Sequence, residues 1–506
     1  MTEGIVRPAS STRVLFLGSI VLALALSACG GGGGGGTPPA PGGGNGGGAS
    51  PTPTPTGHAT ATPTPTSHAT ATPTPTVTPT PGSTPATQSI TMQPDTSGRF
   101  GLTQILDNYG GEPALTSSQI QSEAPRYDSV WGAFSPQTWR AANSRIILSR
   151  YMVPPEDDNL VSTHDLSWWQ TNHPDWILYA CDSSGNPTHD LAWSGSYFTD
   201  VPLAFYEPAV QQYQMQLLIP YLQANSYNAL AADNTDLINY LDGGNPNFGQ
   251  SVKSGEYGCG TYDASGTFQR RYGTPGTTYN RNDPQFAQDM VAWVGQTSSA
   301  VHGAGLKLLI NHPLYNHPTN PSEEQILSYT DGMVDENGYT AYGSLLTANA
   351  FANTLEWVEY TQQHHIAVLV TDYYCTGSGC SNDPSTLTPQ QVDWALATYA
   401  IGNEGGEDVY ISPHGGSNYS YRNEYSTTYG AACGAYTQPS TNVYERKFQG
   451  GLSIVNATGN PPNGTPYSLA LPSGRTYTDI EGRAVSNPLT VNPADAYFLL
   501  TSNGCS

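Results

Sequence analysis

Carboxylates recur in this chain at one kind of place, directly after a short apolar run. Ala231-Ala232 leads into Asp233, with Asp236 three residues on, and Met333-Val334 leads into Asp335 and Glu336. Val368-Leu-Val-Thr371 leads into Asp372, Asn311 and His312 end another run, and Asp182 follows one more. Two carboxyl groups facing each other across a groove can break a glycosidic bond: one protonates the leaving oxygen, the other attacks carbon or activates water. Aromatic residues stand close by, including Trp131, Tyr151, Trp168, Trp169, Tyr315, Tyr339, Tyr373 and Tyr374. Their apolar faces suit the C–H groups of a sugar ring, while their polar edges reach hydroxyls. Around a catalytic pair, the expected sugar-binding set is Asp182, Asp236, Asn311, Asp372, Tyr373, Tyr151 and Trp131.

Each of these residues also has a plainer use. Asp233 or Asp236 suits the cap of the next helix. Asp331-Gly332 suits a turn, and Asp372 can accept backbone N–H bonds from the loop after it. Their recurrence at strand ends favours a groove over separate structural roles. Side chains alternate along a strand, so Asp335 and Glu336 face opposite ways. Glu336 is the expected inward group, with Asp335 as alternate. His312, His317, His364 and His365 offer a rival metal chemistry, yet their spacing matches no H-x-x-x-H or H-x-H set with a carboxylate nearby. Loop or core positions fit them better, and no metal or cofactor is expected.

Positioning such a groove requires a scaffold. Short apolar runs suggest strands at Tyr127–Trp131, Arg145–Met152, Trp176–Ala180, Asn228–Asp233, Leu306–Asn311, Gly332–Glu336, Ile366–Asp372 and Asp408–Ser412. Helical periodicity runs through Tyr206–Asn225, Pro284–His302, Ala348–His365 and Pro389–Ile401, with Asp283 and Thr388 as caps ahead of first-turn prolines. Eight strands alternating with helices predict an α/β fold, a (β/α)8 TIM barrel, whose active groups sit at the C-terminal strand ends. No G-x-G-x-x-G follows an early strand, which argues against an open dinucleotide-binding sheet. The glycine-rich stretch 237–281 reads as a long loop. After about Ser426, Asn442–Asn456, Tyr477–Ile480 and Ala496–Thr501 read as strands of a small C-terminal antiparallel β domain.

Ahead of this lies a different kind of sequence. Arg7 and Arg13 precede an apolar run from Val14 to Leu26, ending in Leu26-Ser27-Ala28-Cys29. That order is a lipoprotein signal with a lipobox, which makes Cys29 the expected lipidation site and residues 1–28 the removed peptide. The Gly30–Gly36 run and a repeated Thr-Pro unit make 29–87 an expected disordered spacer, part floppy and part extended. Two folded parts remain, 88–425 and 426–506. The chain is expected to be exported, anchored to a bacterial membrane by lipid alone, and monomeric.

The 40 acidic residues against 17 basic ones give a formal net charge of −23, and the lysines are Lys253, Lys307 and Lys447. Nucleic acid is excluded as a partner, because phosphate binding needs clustered cations. With charged residues at only 11%, the composition also suits an acidic exterior, where carboxylates are partly neutral. Six cysteines remain besides Cys29, an even number that favours disulfides with fifteen possible connectivities.

Several segments carry a family likeness: His173-Pro-Asp-Trp-Ile-Leu-Tyr179, Ala231-Ala-Asp-Asn-Thr-Asp236, Asp331-Gly-Met-Val-Asp-Glu-Asn-Gly338, Tyr444-Glu-Arg-Lys-Phe-Gln-Gly-Gly-Leu-Ser-Ile-Val-Asn456, Tyr477-Thr-Asp-Ile-Glu-Gly482 and Tyr497-Phe-Leu-Leu500. From about residue 100 to 503 the chain resembles bacterial glycosyl-hydrolase-like family 15, whose members are predicted to cleave polysaccharides. Likeness to α-galactosidase-like barrels implies a nucleophile on strand four and an acid/base on strand six, which fall on Asp233 and Glu336. Those barrels use two aspartates, so a glutamate on strand six departs from their pattern. The expectation is a glycoside hydrolase acting on an extracellular or cell-envelope polysaccharide. Its rival is a glycan-binding surface lipoprotein that has kept the barrel without catalysis.

Overall fold

In the computed structural model the described residues are 98–108, 114–157, 164–193, 200–312, 321–336, 338–340, 344–372, 374, 383–403, 409–412, 421–459 and 463–505. The signal segment, Cys29, the spacer, Tyr315, His317, Tyr373, Cys375 and Cys380 lie outside them. Eight strands form one parallel sheet in chain order: β1 Thr103–Ile105, β2 Ser129–Trp131, β3 Ile147–Met152, β4 Ala229–Ala232, β5 Lys307–Asn311, β6 Gly332–Asp335, β7 Ala367–Thr371 and β8 Val409–Ser412. β8 returns against β1, so the sheet curls into a barrel.

Helices α1 Ser117–Glu123, α2 Pro136–Ala142, α4 Pro208–Ala224, α5 Pro284–Gly303, α6 Pro321–Ser328, α7 Ala348–Gln363 and α8 Pro389–Gly402 follow β1 to β7 in turn. α3 Leu166–Asn172 lies in the β3–α4 connection. Local chemistry sets their starts. Asp283 accepts from the Gln285 N–H at 2.9 Å, and Thr388 with Gln391 closes a capping box before Pro389.

Alternation along the strands separates two cores. Ile147, Tyr151, Ala229, Ala231, Leu309, Val334, Ala367 and Leu369 pack together inside the barrel, with Ile105 and Trp131. The intervening residues Leu148, Leu230, Leu308, Ile310, Met333, Val368 and Val370 pack outward against the helices. Alanines on β4 and β7 leave space in that inner core, which also holds the larger Trp131 and Tyr151.

Seven of the expected barrel strands stand; Trp176–Ala180 does not. Residues 174–176 are a 3-10 turn, and Tyr179–Cys181 belongs to a separate antiparallel sheet. Its strands run in the order Asp242–Gly243, Pro187–Trp193, Tyr179–Cys181, Tyr257–Tyr262, Phe268–Arg270. The stretch 237–281, expected as loop, thus supplies three of the five strands. The β3–α4 and β4–α5 connections build this sheet jointly, and the Cys181–Cys259 disulfide ties them together. The missing barrel strand is β1, three residues long and too short to show a period of its own.

Beyond the barrel, Thr437–Ser440, Val443–Phe448, Gly451–Asn456 and Asp495–Leu500 form an antiparallel sheet, with Tyr467–Leu469 and Leu489–Val491 paired beside it. The expected strand Asn442–Asn456 is therefore a hairpin turning at Gln449-Gly450. Tyr477–Ile480 is not a strand, although Thr478 bridges Leu500 and Ala484. The sheet packs on α8, where Ser453 Oγ donates to the Ala397 carbonyl at 2.8 Å. Arg446, only 2% exposed, donates to the carbonyls of Ile401, Asn403 and Gly434. A guanidinium there satisfies carbonyls that the end of α8 leaves open, and its charge suits that end of the helix dipole. Cys433–Cys505 closes the tail.

Candidate active site

Asp233 directly follows β4 and continues the inward face of Ala229 and Ala231. Glu336 directly follows β6 and stands two residues beyond the inward-facing Val334. Both side chains are half-buried at the C-terminal mouth of the barrel. Asp335 is 1% exposed and shares the outward face of Met333. Parity therefore selects Glu336 over Asp335.

β3 and β5 supply the donors. Tyr151 Oη donates to one oxygen of Asp233, and Asn311 Nδ2 donates to the other at 2.6 Å. The same Asn311 side chain also favours the ionised form of Glu336. One carboxamide thus acts on both carboxyl groups, and neighbouring strands β3, β4, β5 and β6 each place one member of the set.

The proton affinities of the pair differ in cause. Burial pushes Glu336 up to about 8, with the negative charges of Asp233, Asp335 and Asp236 adding and the Asn311 hydrogen bond opposing. Burial also raises Asp233, but hydrogen bonds from Tyr151, Asn311 and the Asn234 backbone favour its ionised form. A carboxyl beside an anion keeps its proton, and one holding three donors gives it up more readily. Burial and the Asp233 charge hold the Tyr151 phenol protonated, so it remains a donor.

Asp236 returns to the same mouth because the chain turns sharply after β4. Asn234 takes a left-handed φ of 53°, a conformation its short polar side chain tolerates. Burial raises Asp236 to about 6; the cation of His312 opposes this, while Asp233 and Glu323 add to it.

Other expected site residues lie elsewhere. Asp182 sits in a hairpin turn of the inserted sheet, where it accepts from Ser184 N and Asn186 N at 2.9 and 2.8 Å and from Asn186 Nδ2 at 2.9 Å. Asp263-Ala-Ser-Gly266-Thr267 and Asp479-Ile-Glu-Gly482-Arg483 repeat that turn with the same backbone bonds. Asp-x-x-Gly is thus a turn device in this chain, and the carboxylate of Asp182 is used up in it.

Asp372 turns behind β7 and accepts from the Tyr339 N–H at 2.8 Å. It holds the loop after β6. Gly338, at φ 50°, permits this approach, since a Cβ there would come within 2.4 Å of Asp372 Oδ1. Burial, with Asp335 adding and the Tyr339 bond opposing, raises Asp372 to about 7. Trp131 is 2% exposed, part of the barrel floor with no face free for a ring to stack on.

The sequence reading missed two neighbours of the site. Glu156, after Pro154-Pro155, and Tyr240, in the β4–α5 connection, both act electrostatically on this mouth. The Tyr240 hydroxyl is buried and has no hydrogen-bond partner among the described residues. Neither residue ends an apolar run, so strand-end logic could not find them. Among the described residues no three His, Cys, Asp or Glu side chains are grouped as a metal site.

No protein-family model and no curated protein sequence matches the chain. Among solved structures, it is similar to a maltogenic α-amylase AmyB from Thermotoga neapolitana at 12% identity, covering 80% of this chain and 99% of that one, with a TM-score of 0.37. An α-amylase from Malbranchea cinnamomea aligns at 10% identity over 81% and 97% of the two chains, with a TM-score of 0.38. The α-galactosidase AgaA from Geobacillus stearothermophilus aligns at 8% identity over 80% of this chain and 56% of its own, with a TM-score of 0.37. At such identities and overlaps, those activities belong to those proteins, and the reading of this chain rests on its own residues.

Proposed function

We propose that this protein is a glycoside hydrolase using Asp233 as nucleophile and Glu336 as general acid/base. The observation that carries the reading is a pair of half-buried carboxyl groups at the barrel mouth, Asp233 held by Asn311 at 2.6 Å and Glu336 within reach of the Asp233 charge. Carboxyl groups about 5 Å apart would serve a double displacement with retained configuration, and groups about 6.5–9.5 Å apart an inversion. Glu336, raised to about 8, carries the proton that the leaving oxygen needs. Asp233, held by Tyr151 and Asn311, is oriented toward the mouth with its charge supported by both donors. Once a glycosyl ester forms on Asp233, the ionised Glu336 takes a proton from water for the second step. Asp236 is left to meet sugar hydroxyls.

On this reading the substrate is an extracellular or envelope polysaccharide, reached by a protein anchored through Cys29. The test is release of reducing ends from a panel of bacterial and plant polysaccharides between about pH 3 and pH 8. Glu336→Gln should abolish release, by about a thousandfold or more, with fold and glycan binding intact. Binding without release by the wild type across the panel would instead favour a glycan-binding protein.

A further inference from the structure

Asn311 and His312 are consecutive and face opposite ways. Asn311 turns into the barrel to hold Asp233; His312 turns outward and is 1% exposed. Behind the mouth its Nδ1 lies 3.1 Å from the Thr235 carbonyl oxygen, and its Nε2 is hydrogen-bonded to Glu323 in the first turn of α6. Glu323 is itself 3% exposed. Thr235 is pinned to the same strand end, its N–H and Oγ1 both donating to the Asn311 carbonyl at 3.1 and 2.6 Å. The turn that carries Asp236 is thus fastened to β5 by three bonds, one of them from the imidazole.

Donor and acceptor chemistry constrains the state of that ring. A backbone carbonyl only accepts, so Nδ1 must carry a hydrogen. With Glu323 ionised its carboxylate also only accepts, and Nε2 carries one as well. The two carboxylates whose charges act on the ring come from different elements, Glu323 from α6 and Asp236 from the β4–α5 connection, and Asp233 acts in turn on Asp236. Burial disfavours the charged imidazole, but these acids outweigh it.

We propose that His312 is a positioning residue of the site: a buried imidazolium, paired with Glu323, that clasps the Thr235 turn to β5 and keeps Asp236 ionised beside Asp233. This role rests on the glycoside hydrolase reading only for its catalytic consequence; the charge state and the clasp stand apart from it. Removing the ring cation leaves Asp236 with burial and two like charges, so Asp236 takes up a proton. The field on Asp233 and Glu336 changes with it, although His312 touches neither.

The test begins on the intact wild-type chain, labelled with 15N in histidine and followed from about pH 5 to about pH 9. One imidazole, assigned by its loss in His312→Gln, should keep both ring protons above the pH, near about 6.5, at which an ordinary histidine loses one. A singly protonated His312 at neutral pH overturns the proposal. Glu323→Gln should return the ring to the neutral form. The 13C carboxyl signal assigned through Asp236→Asn should titrate at higher pH in His312→Gln than in wild type; an unmoved titration in a folded variant also overturns it.

With a substrate in hand, His312→Gln should lower kcat by about ten- to a hundredfold with KM within about twofold, and displace the pH profile. An unchanged kcat and profile would confine His312 to structure. If no glycan is cleaved while His312 remains doubly protonated and Asp236 responds, the hydrolase reading fails and the clasp survives.

Discussion

At the barrel mouth, Asp233 and Glu336 are both acted on by the Asn311 side chain and keep contact with solvent. At the seam between α8 and the C-terminal sheet, Asp393 is 4% exposed and accepts from the backbone N–H of Phe498 at 3.4 Å. Burial pushes both Glu336 and Asp393 up to about 8. A raised proton affinity therefore marks two very different places in this molecule. One carboxyl stands beside Asp233 and open to a ligand; the other, though Asp479, Glu481 and Asp495 act on it, is sealed against a sheet. Access, rather than burial or a neighbouring carboxylate, distinguishes a site that can do chemistry.

The sharpest way to break this comparison is to remove one carboxylate charge at each place. Glu336→Gln is expected to cost a thousandfold or so in turnover, and Asp393→Asn less than about twofold, measured as initial rates on the same glycan. Equal losses would erase the distinction.

The seam should instead answer in stability. Arg446→Met strips three backbone carbonyls of their donor and is expected to cost about 3 kcal/mol in chemical unfolding, with the activity of the folded fraction preserved. A cost within experimental error would show that water serves those carbonyls equally well.

A smaller effect is expected with pH. Asp393 binds its proton more tightly folded than unfolded, so its contribution is fully present below about pH 4 and is lost as pH rises toward 8. Glu336, Asp372 and Asp236 are raised in the same sense, to about 8, 7 and 6. The melting temperature should therefore be a few degrees higher at about pH 5 than at about pH 8, as the composition suits. Asp393→Asn should narrow that gap by gaining stability at the alkaline end, with no gain near pH 4. A protein most stable above pH 7 would contradict the sign.

The smallest effect is expected at Asp182. Asp182→Ala should leave turnover within about twofold, because its carboxylate is held in the turn of the inserted sheet.

The legible parts of the sequence share one property: their signal is local. Alternation decides that Asp335 and Glu336 face opposite ways, and the packed Val334 between Met333 and Asp335 shows which way is inward. The cap at Asp283, the capping box at Thr388 and the start of α8 are likewise set by neighbours within four residues. Asp182 misled because an apolar run ending in an aspartate reads the same before a barrel loop and before an Asp-x-x-Gly turn. Trp131 and Asp372 misled because strand-end position says nothing of what is packed above a side chain. β1 was missed because three residues bear no period.

The order of residues alone determined the strand-and-helix rhythm, the inward parity of Asp233 and Glu336, and the acidic balance of the chain. Each depends on side-chain type and short spacing, which persist before anything packs. Tertiary structure alone decided that Tyr151, Asp233, Asn311 and Glu336 meet, although 185 positions separate the first from the last. It also decided that 179–181 leaves the barrel for a sheet completed by 257–262, and that His312 sits behind Asp236 with Glu323. Those relations join residues far apart in the chain, and only closing the barrel brings them within hydrogen-bond reach.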